Sequence, residues 1–285
     1  MIVNPLLLKN MNYPIALFAI DNYGDKILKK LKKCKLLPAR LLFKSEFAQQ
    51  KSPNEVCWNR PAIVKELEDC EIVIFFAERC SVLTLYLCHT FNNESGKLSH
   101  LFVANNSEEL INVNKYSIIN VTVCNHLETI EAYVRVVYEI IEYHGMIDIN
   151  FCDLKSSFQD GSVVKFAVGI ADGKNRAIDA VKLAVDRYQI SGAKSILVNI
   201  GCSDEHEATI EEIGIINEYI CENNPNSIFA WGIYCDNNLG SKLKVNIIAT
   251  GFDAQAISQL QPAPLPDNNL SLLKRICNWF KKCFG

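Results

Sequence analysis
The twelve cysteines are the side chains of this chain with the widest chemistry: Cys34, Cys57, Cys70, Cys80, Cys88, Cys124, Cys152, Cys202, Cys221, Cys235, Cys277 and Cys283. A thiolate can attack a carbon centre, bind zinc or close a disulfide, but each use needs suitable company at short range. No two of them stand in a C-x-x-C pair, so neither a zinc ribbon nor a thioredoxin-type motif is present, and no metal site is expected. Most lie in apolar runs, such as LTLYLCHTF around Cys88. There a free cysteine acts as a small buried hydrophobe, in keeping with a reducing cytosol.

Glycine lets backbone amides approach phosphate closely, and its distribution here is uneven. Of thirteen glycines only Gly24 and Gly96 precede residue 145; the other eleven lie between Gly145 and Gly285. Ordinary phosphate chemistry is therefore not expected of the front half.

The segment NLSLLKRICNWFKKCFG (Asn269–Gly285) is a candidate for surface chemistry of another kind. On a helical wheel of about 100° per residue with Leu270 at zero, Ser271, Lys274, Arg275, Asn278, Lys281 and Lys282 fall between about 20° and 140°. Leu272, Leu273, Ile276, Cys277, Trp279, Phe280, Cys283 and Phe284 fill the arc from about 180° to 340°. Such a helix suits a membrane interface rich in anionic lipid. Its four basic residues leave 25 basic and 32 acidic residues in the rest of the chain, so the positive charge is local. The alternative is a terminal helix packed back on the body. Cys283 lies third from the end and is not a C-a-a-X site. QLQPAPLPDNN (Gln259–Asn269) before it reads as an extended linker.

These residues need a body to position them. At 285 residues and a net charge of −3, the composition is that of a globular protein, and nothing in it suggests nucleic-acid binding. The N-terminus lacks the leader and cleavage site of a signal peptide, and no run reaches the roughly 18 apolar residues of a membrane span. PIALFAI (Pro14–Ile20) and EIVIFFA (Glu71–Ala77) read as buried strands, with Leu101–Asn105 and Ile118–Val123 as further ones. A helix is expected from about Asp25 to Leu37, its six lysines from Lys26 to Lys35 forming a solvated face or, alternatively, a second basic surface toward lipid. His126–His144 is a long helix ended at Gly145. Strands at Phe166–Ile170, Ser195–Ile200, Ile228–Tyr234 and Lys244–Thr250 then alternate with helices at Asn175–Tyr188 and Ile210–Asn223. The pattern implies α/β layers: a Rossmann-like domain over 1–124, a central helix over 125–145 and a second α/β domain over 146–257. A linker over 258–269 and the amphipathic helix over 270–285 complete the expected layout.

Three motifs in the back half carry a resemblance. FAVGIADGKNRAIDAVKLAV (Phe166–Val185), AKSILVNIGCSD (Ala193–Asp204) and KVNIIATGF (Lys244–Phe252) resemble, in order and spacing, segments of the bacterial tubulin homologue FtsZ, with Arg176 and Ala177 at family positions. The resemblance covers about residues 126–253 and implies a tubulin/FtsZ-like fold. Members of that family stack head to tail with GTP between subunits. Their first phosphate loop, G-G-G-G-G-N, corresponds here to IDNYGDK (Ile20–Lys26), where Asp21 and Asp25 carry the wrong sign for a triphosphate. Their second, G-G-G-T-G-T-G, corresponds to ERCSVLTLY (Glu78–Tyr86), which has no glycine and places Leu83, Leu85 and Tyr86 where backbone should meet phosphate.

The family's catalytic N-x-D-x-x-D falls on Asp148, Asn150 and Asp153 of GMIDINFCDL (Gly145–Leu154). An amide at Asn150 cannot act as a general base, leaving Asp148 and Asp153 as residual carboxylates or plain solvated loop acids. The guanine-reading acid falls at Glu128, which is otherwise an exposed helix acid. The expected protein is a non-hydrolysing FtsZ-like scaffold or accessory without a cofactor. It would self-associate or meet an FtsZ-type filament through Gly145–Leu154, and would sit on the inner face of the cell membrane through its last helix. The competing expectations are a divergent GTPase using Asp148, Asp153 and Glu128 with bound GTP, and a soluble binding module whose cleft takes another ligand.

Overall fold
The computed structural model describes residues 14–33, 39–52, 55–105, 120–124, 127–142, 147–158, 163–188 and 190–252. The linker and the amphipathic helix expected over 258–285 lie outside them, as do Ile118, Lys35 and Gly145.

The first sheet is parallel throughout. Its strands are β1 (Ile15–Ala19), β2 (Arg40–Leu42), β5 (Ile72–Arg79), β6 (Leu98–Asn105) and β7 (Asn120–Val123), in the order β2-β1-β5-β6-β7. Buried on both faces, β1 (IALFA) and β5 (IVIFFAER) are the continuous apolar runs that parallel strands require. After β1 the chain moves to one side to form β2, then returns to the other side as β5. The sheet therefore reverses its direction of growth between β1 and β5. An antiparallel hairpin, β3 (Ala48–Ser52) with β4 (Glu55–Trp58), interrupts this path. Trp58 packs edge-on against Phe18 and Phe91 at ring separations of 5.7 and 5.8 Å.

Helix α1 (Asn22–Leu31) begins three residues earlier than expected because Asp21 caps it. Its Ile27, Leu28 and Leu31 are buried, while Lys26, Lys29, Lys30, Lys32 and Lys33 face outward. Gly24 has a geometric reason to be glycine: a Cβ there would lie 2.5 Å from the Phe76 carbonyl, so only glycine lets α1 settle on the sheet. Short helices α2 (Lys44–Phe47) and α3 (Arg60–Leu67) precede β5. Helix α4 (Val82–Ser95) corrects the expectation of a long second loop: Leu85 is 2% exposed and belongs to the core, and Tyr86 is an exposed helix residue. Only Cys80 and Ser81 stand between β5 and α4.

Helix α5 (Leu127–Glu142) runs between the two sheets, and α6 (Phe151–Ser157) follows it. The second sheet combines β8 (Lys165–Ala171), β9 (Ser195–Cys202), β10 (Ile228–Cys235) and β11 (Leu243–Thr250) in the order β10-β9-β11-β8. Strand β10 runs parallel to β9, and β11 antiparallel to both β9 and β8. Helices α7 (Arg176–Tyr188) and α8 (Ile210–Asn223) cover one face. Gly169 sits inside β8. A Cβ there would come 1.9 Å from the Ala180 carbonyl, so its role is close passage of α7. Gly173 and Gly251 take positive φ, 87° and 76°, just outside β8 and β11.

Buried apolar residues of α5 (Ile130, Tyr133, Val134, Val137 and Ile140) join Phe76 and Phe102 of the first sheet to Phe166, Leu197 and Ile248 of the second. Burial of side chains this large contributes about 1.5–3 kcal/mol each, so α5 ties the sheets by apolar area. Polar contacts then fix its register. Tyr133 donates to His100 Nδ1 at 2.5 Å, His100 Nε2 donates to Thr122 Oγ1 at 2.8 Å, and Thr122 donates to the Val164 carbonyl at 2.7 Å. Burial lowers the His100 pKa to about 3, so the ring stays neutral and each of its nitrogens is used once. At the other end of α5, Lys244 Nζ donates to both Glu139 oxygens at 3.1 and 3.0 Å, and the Tyr234 hydroxyl donates to Glu139 Oε2 at 3.1 Å.

Candidate functional site
In an open α/β sheet, ligands bind outside the carboxyl ends of the strands at the point where strand order reverses. Here that point is the crevice between β1 and β5, flanked by the N-terminus of α1. The helix macrodipole and free first-turn amides make such a place attractive to anions.

The residues present are acidic. Asp21, half-buried, accepts the Gly24 N–H through Oδ1 at 2.8 Å and the Glu78 N–H through Oδ2 at 2.7 Å. One carboxylate therefore bridges the loop after β1 to strand β5. Asp25 is turned inward at 8% exposure, where its Oδ1 accepts the Lys44 N–H at 2.7 Å, so it does not face the crevice. Tyr23 places a hydroxyl that is buried and has no hydrogen-bond partner. Burial raises its pKa, with Cys124, Asp21 and Glu78 acting in the same direction, so it stays a protonated donor lacking an acceptor. The orphan hydroxyl and the glycine-permitted helix approach fit a bound ligand. The two amides best placed for phosphate, however, are already taken by Asp21, and a phosphate does not fit beside that carboxylate.

The second group of expected site residues lies on the segment between α5 and α6. Ile147 pairs with Ile233 of β10, whose N–H reaches the Ile147 carbonyl at 2.8 Å. Ile147, Asp148 and Asn150 are exposed. Asn150 is the N-cap of α6: its Oδ1 accepts from the N–H of Cys152 at 2.7 Å and of Asp153 at 3.2 Å. Asp153 Oδ2 accepts the Asn150 N–H at 2.9 Å, which closes a capping box. Asp153 is thus a helix-cap residue rather than a plain solvated loop acid. Glu128 lies in the first turn of α5.

Among the described residues, cysteine chemistry finds no support. Cys70, Cys80, Cys88, Cys124 and Cys202 are buried as small hydrophobes, whereas Cys57, Cys152, Cys221 and Cys235 are exposed at solvent-facing positions. The Cys235 thiol donates to Asp204 at 2.7 Å, and that carboxylate pushes its pKa up to about 11, far from a nucleophile's range. Among the described residues no group of three His, Cys, Asp or Glu is placed to hold a metal ion, and no helix is long and apolar enough to cross a membrane. Sequence reasoning missed the Asp21 bridge, because its far end lies 57 residues along the chain. The Asn150 cap was legible as N-x-x-D before a short apolar segment.

Two sheets packed about a central helix define a fold of the tubulin class. Comparison with known proteins narrows it. Residues 162–253 match the C-terminal domain of the FtsZ family. The cell division protein FtsZ 1 of Pyrococcus horikoshii is 29% identical over 138 residues, which are 47% of this chain and 36% of that protein. The match therefore spans little more than a third of that relative's length. Among solved structures, an empty FtsZ dimer of M. jannaschii superposes with a TM-score of 0.62 at 14% identity, covering 92% of this chain and 97% of that one. A GTPγS-bound protofilament of CetZ2 from Haloferax volcanii superposes with a TM-score of 0.58 at 11% identity, covering 95% and 100%. Residues 162–253 thus carry an FtsZ-family C-terminal domain, and the whole chain shares the tubulin/FtsZ fold.

These similarities overturn the expectation that the chain is not an enzyme: its homologues are GTPases of the FtsZ/tubulin type, and nothing in the fold marks a loss of activity. The error has a physical source. Glycine content was taken as a measure of phosphate-binding ability, but the donors are backbone amides, which every residue except proline supplies. At the switch point of this chain the amides of Gly24 and Glu78 are present without a glycine-rich loop, both engaged by Asp21.

Proposed function
We propose that this protein is a filament-forming, FtsZ-like cytoskeletal protein that takes guanine nucleotide in the β1–β5 crevice and serves a division-type process. The observation that carries the reading is the placement of the α1 N-terminus at the switch point of a tubulin-class sheet. In the head-to-tail arrangement that the resemblance implies, the segment Ile147–Asn150 of one subunit, exposed at Ile147, Asp148 and Asn150, meets the crevice of the next. Asp148 is the carboxylate on that segment not committed to the α6 cap, and it is assigned to positioning the hydrolytic water.

The helix over 270–285 is proposed to hold these assemblies on the anionic inner face of the cell membrane, with the protein otherwise cytoplasmic. Leu272, Leu273, Ile276, Trp279, Phe280 and Phe284 would enter the lipid, and Lys274, Arg275, Lys281 and Lys282 would face the headgroups.

Electron microscopy and sedimentation of the full chain with and without GTPγS test the assembly. Filaments are expected, and their absence at every nucleotide and protein concentration overturns the reading. With GTP, Asp148→Asn should lower phosphate release at least tenfold while filaments persist. For the tail, anionic liposomes should sediment the full chain but not a chain ending at Pro266, and Trp279→Glu should match the truncation. Equal sedimentation of all three removes the membrane claim.

A further inference from the structure
We propose that the Asp21 carboxylate is the resident anion of the β1–β5 crevice, and that a nucleotide phosphate enters only when Asp21 turns out of it. The inference rests on the nucleotide reading above. Three features carry it. First, the two amides that Asp21 accepts come from different elements, Gly24 of α1 and Glu78 of β5, at 2.8 and 2.7 Å. A carboxylate bridging two such donors occupies the position that a phosphate oxygen pair would take, with the same sign of charge. Second, the contact extends the β1–β5 ladder outward, beyond the Ile20 N–H to Phe76 carbonyl bond of 3.0 Å. The crevice loops are thus held together without any ligand. Third, the Tyr23 hydroxyl is buried and unpartnered, within electrostatic reach of Asp21 and Glu78. Asp21 satisfies the two amides but leaves this donor waiting, as expected of a site closed by a substitute rather than abolished.

The consequence is a population tax. Nucleotide binds only the fraction of molecules with Asp21 displaced, and its apparent dissociation constant rises by the inverse of that fraction. Removing the bridge should therefore tighten binding, the reverse of what mutating a ligand-contacting residue does. Asp21→Asn and Asp21→Ser both keep a good helix N-cap on Gly24. Asparagine has a single acceptor oxygen and serine is too short to reach Glu78, so neither spans both amides.

The test is a titration of fluorescent GTPγS into the full chain and into each variant, combined with hydrogen exchange at the Gly24 and Glu78 amides of the unliganded proteins. Both variants are expected to bind at least tenfold tighter than the wild type, with faster exchange at Glu78 and little change at Gly24. Equal affinity in all three proteins overturns the Asp21 proposal and leaves the nucleotide reading standing. No binding by any of them at millimolar nucleotide overturns the nucleotide reading. Unchanged exchange at Glu78 in both variants overturns the bridge in either case.

Discussion

The two sheets of this protein hold their shape by different means. At the centre of the first, β1 and β5 need only be apolar on both faces, while β6 and β7 carry the buried His100–Thr122 contact. One close backbone passage, α1 over the sheet at Gly24, ties a residue type to a position there. In the second, α7 crosses β8 so closely that Gly169 has no room for a Cβ, and the segment after α5 passes β10 so that a Cβ at Gly232 would lie 2.5 Å from the Ile147 carbonyl. Close backbone passages dictate particular residues, whereas apolar strands dictate only a class. The family match over 162–253 lies on the second sheet accordingly, while likeness in the first is one of layout. Sequence divergence thus marks where the fold is tolerant, and says little about where function has been lost.

The sharpest way to break this contrast is at the joint between the sheets. Glu139 of α5 and Lys244 of β11 form a buried ion pair, with side-chain exposures of 7% and 8%. Glu139→Leu leaves the ammonium buried without its partner and should cost about 3–5 kcal/mol in urea unfolding. The double change Glu139→Leu with Lys244→Met should recover most of that loss, because both charges are gone. A double variant no better than the single would show that the loss comes from the missing Glu139 contacts, the Tyr234 hydroxyl's acceptor among them, and not from an unpaired ammonium.

Gly169→Val tests the close-passage account directly. The added side chain must push α7 off β8, at about 3 kcal/mol. An apolar exchange of similar volume in the first sheet, Ile74→Leu, should cost less than about 1.5 kcal/mol. Comparable losses at the two positions would erase the distinction between the sheets.

The His100 network gives the first sheet a pH signature. Folded, His100 is held neutral down to about pH 3, while unfolded it takes up a proton below its ordinary value of 6.5. A depressed folded pKa on a base means stability is full above 6.5 and is lost as pH falls from there toward 3. By pH 5 this one group should remove about 2 kcal/mol. His100→Phe should flatten that part of the profile in denaturant titrations at pH 5 and 7, whatever its effect on absolute stability. An unchanged slope would place the pH dependence elsewhere.

How much was legible follows the same divide. The apolar runs of β1, β5, β8, β9, β10 and β11 and the faces of α5, α7 and α8 were readable because periodicity and burial agree there. Strand β2 and the polar hairpin β3–β4 were not, since AQQKS has no strand signature apart from its partner. Helix α4 was missed because the family loop was projected onto Glu78–Tyr86, overriding an apolar pattern that continues into Phe91. Asp21 was seen as a charge of the wrong sign. That it meets Glu78 depends on parallel pairing of strands more than fifty residues apart, which no local pattern encodes.

The smallest expected effect decides what the segment after α5 is for. Asn150 stands where the family pattern has an acid, and here its side chain caps α6. Asn150→Ala should cost about 1 kcal/mol through loss of the cap. Asn150→Asp should cost almost nothing, since aspartate caps equally well and adds charge favourable to the helix dipole. If the segment also serves a neighbouring subunit's nucleotide, Asn150→Asp should raise GTP turnover in assembled protein while stability stays flat. A variant as stable as the wild type with unchanged turnover would make position 150 a helix cap and nothing more, and would leave Asp148 as the carboxylate that any hydrolysis must use.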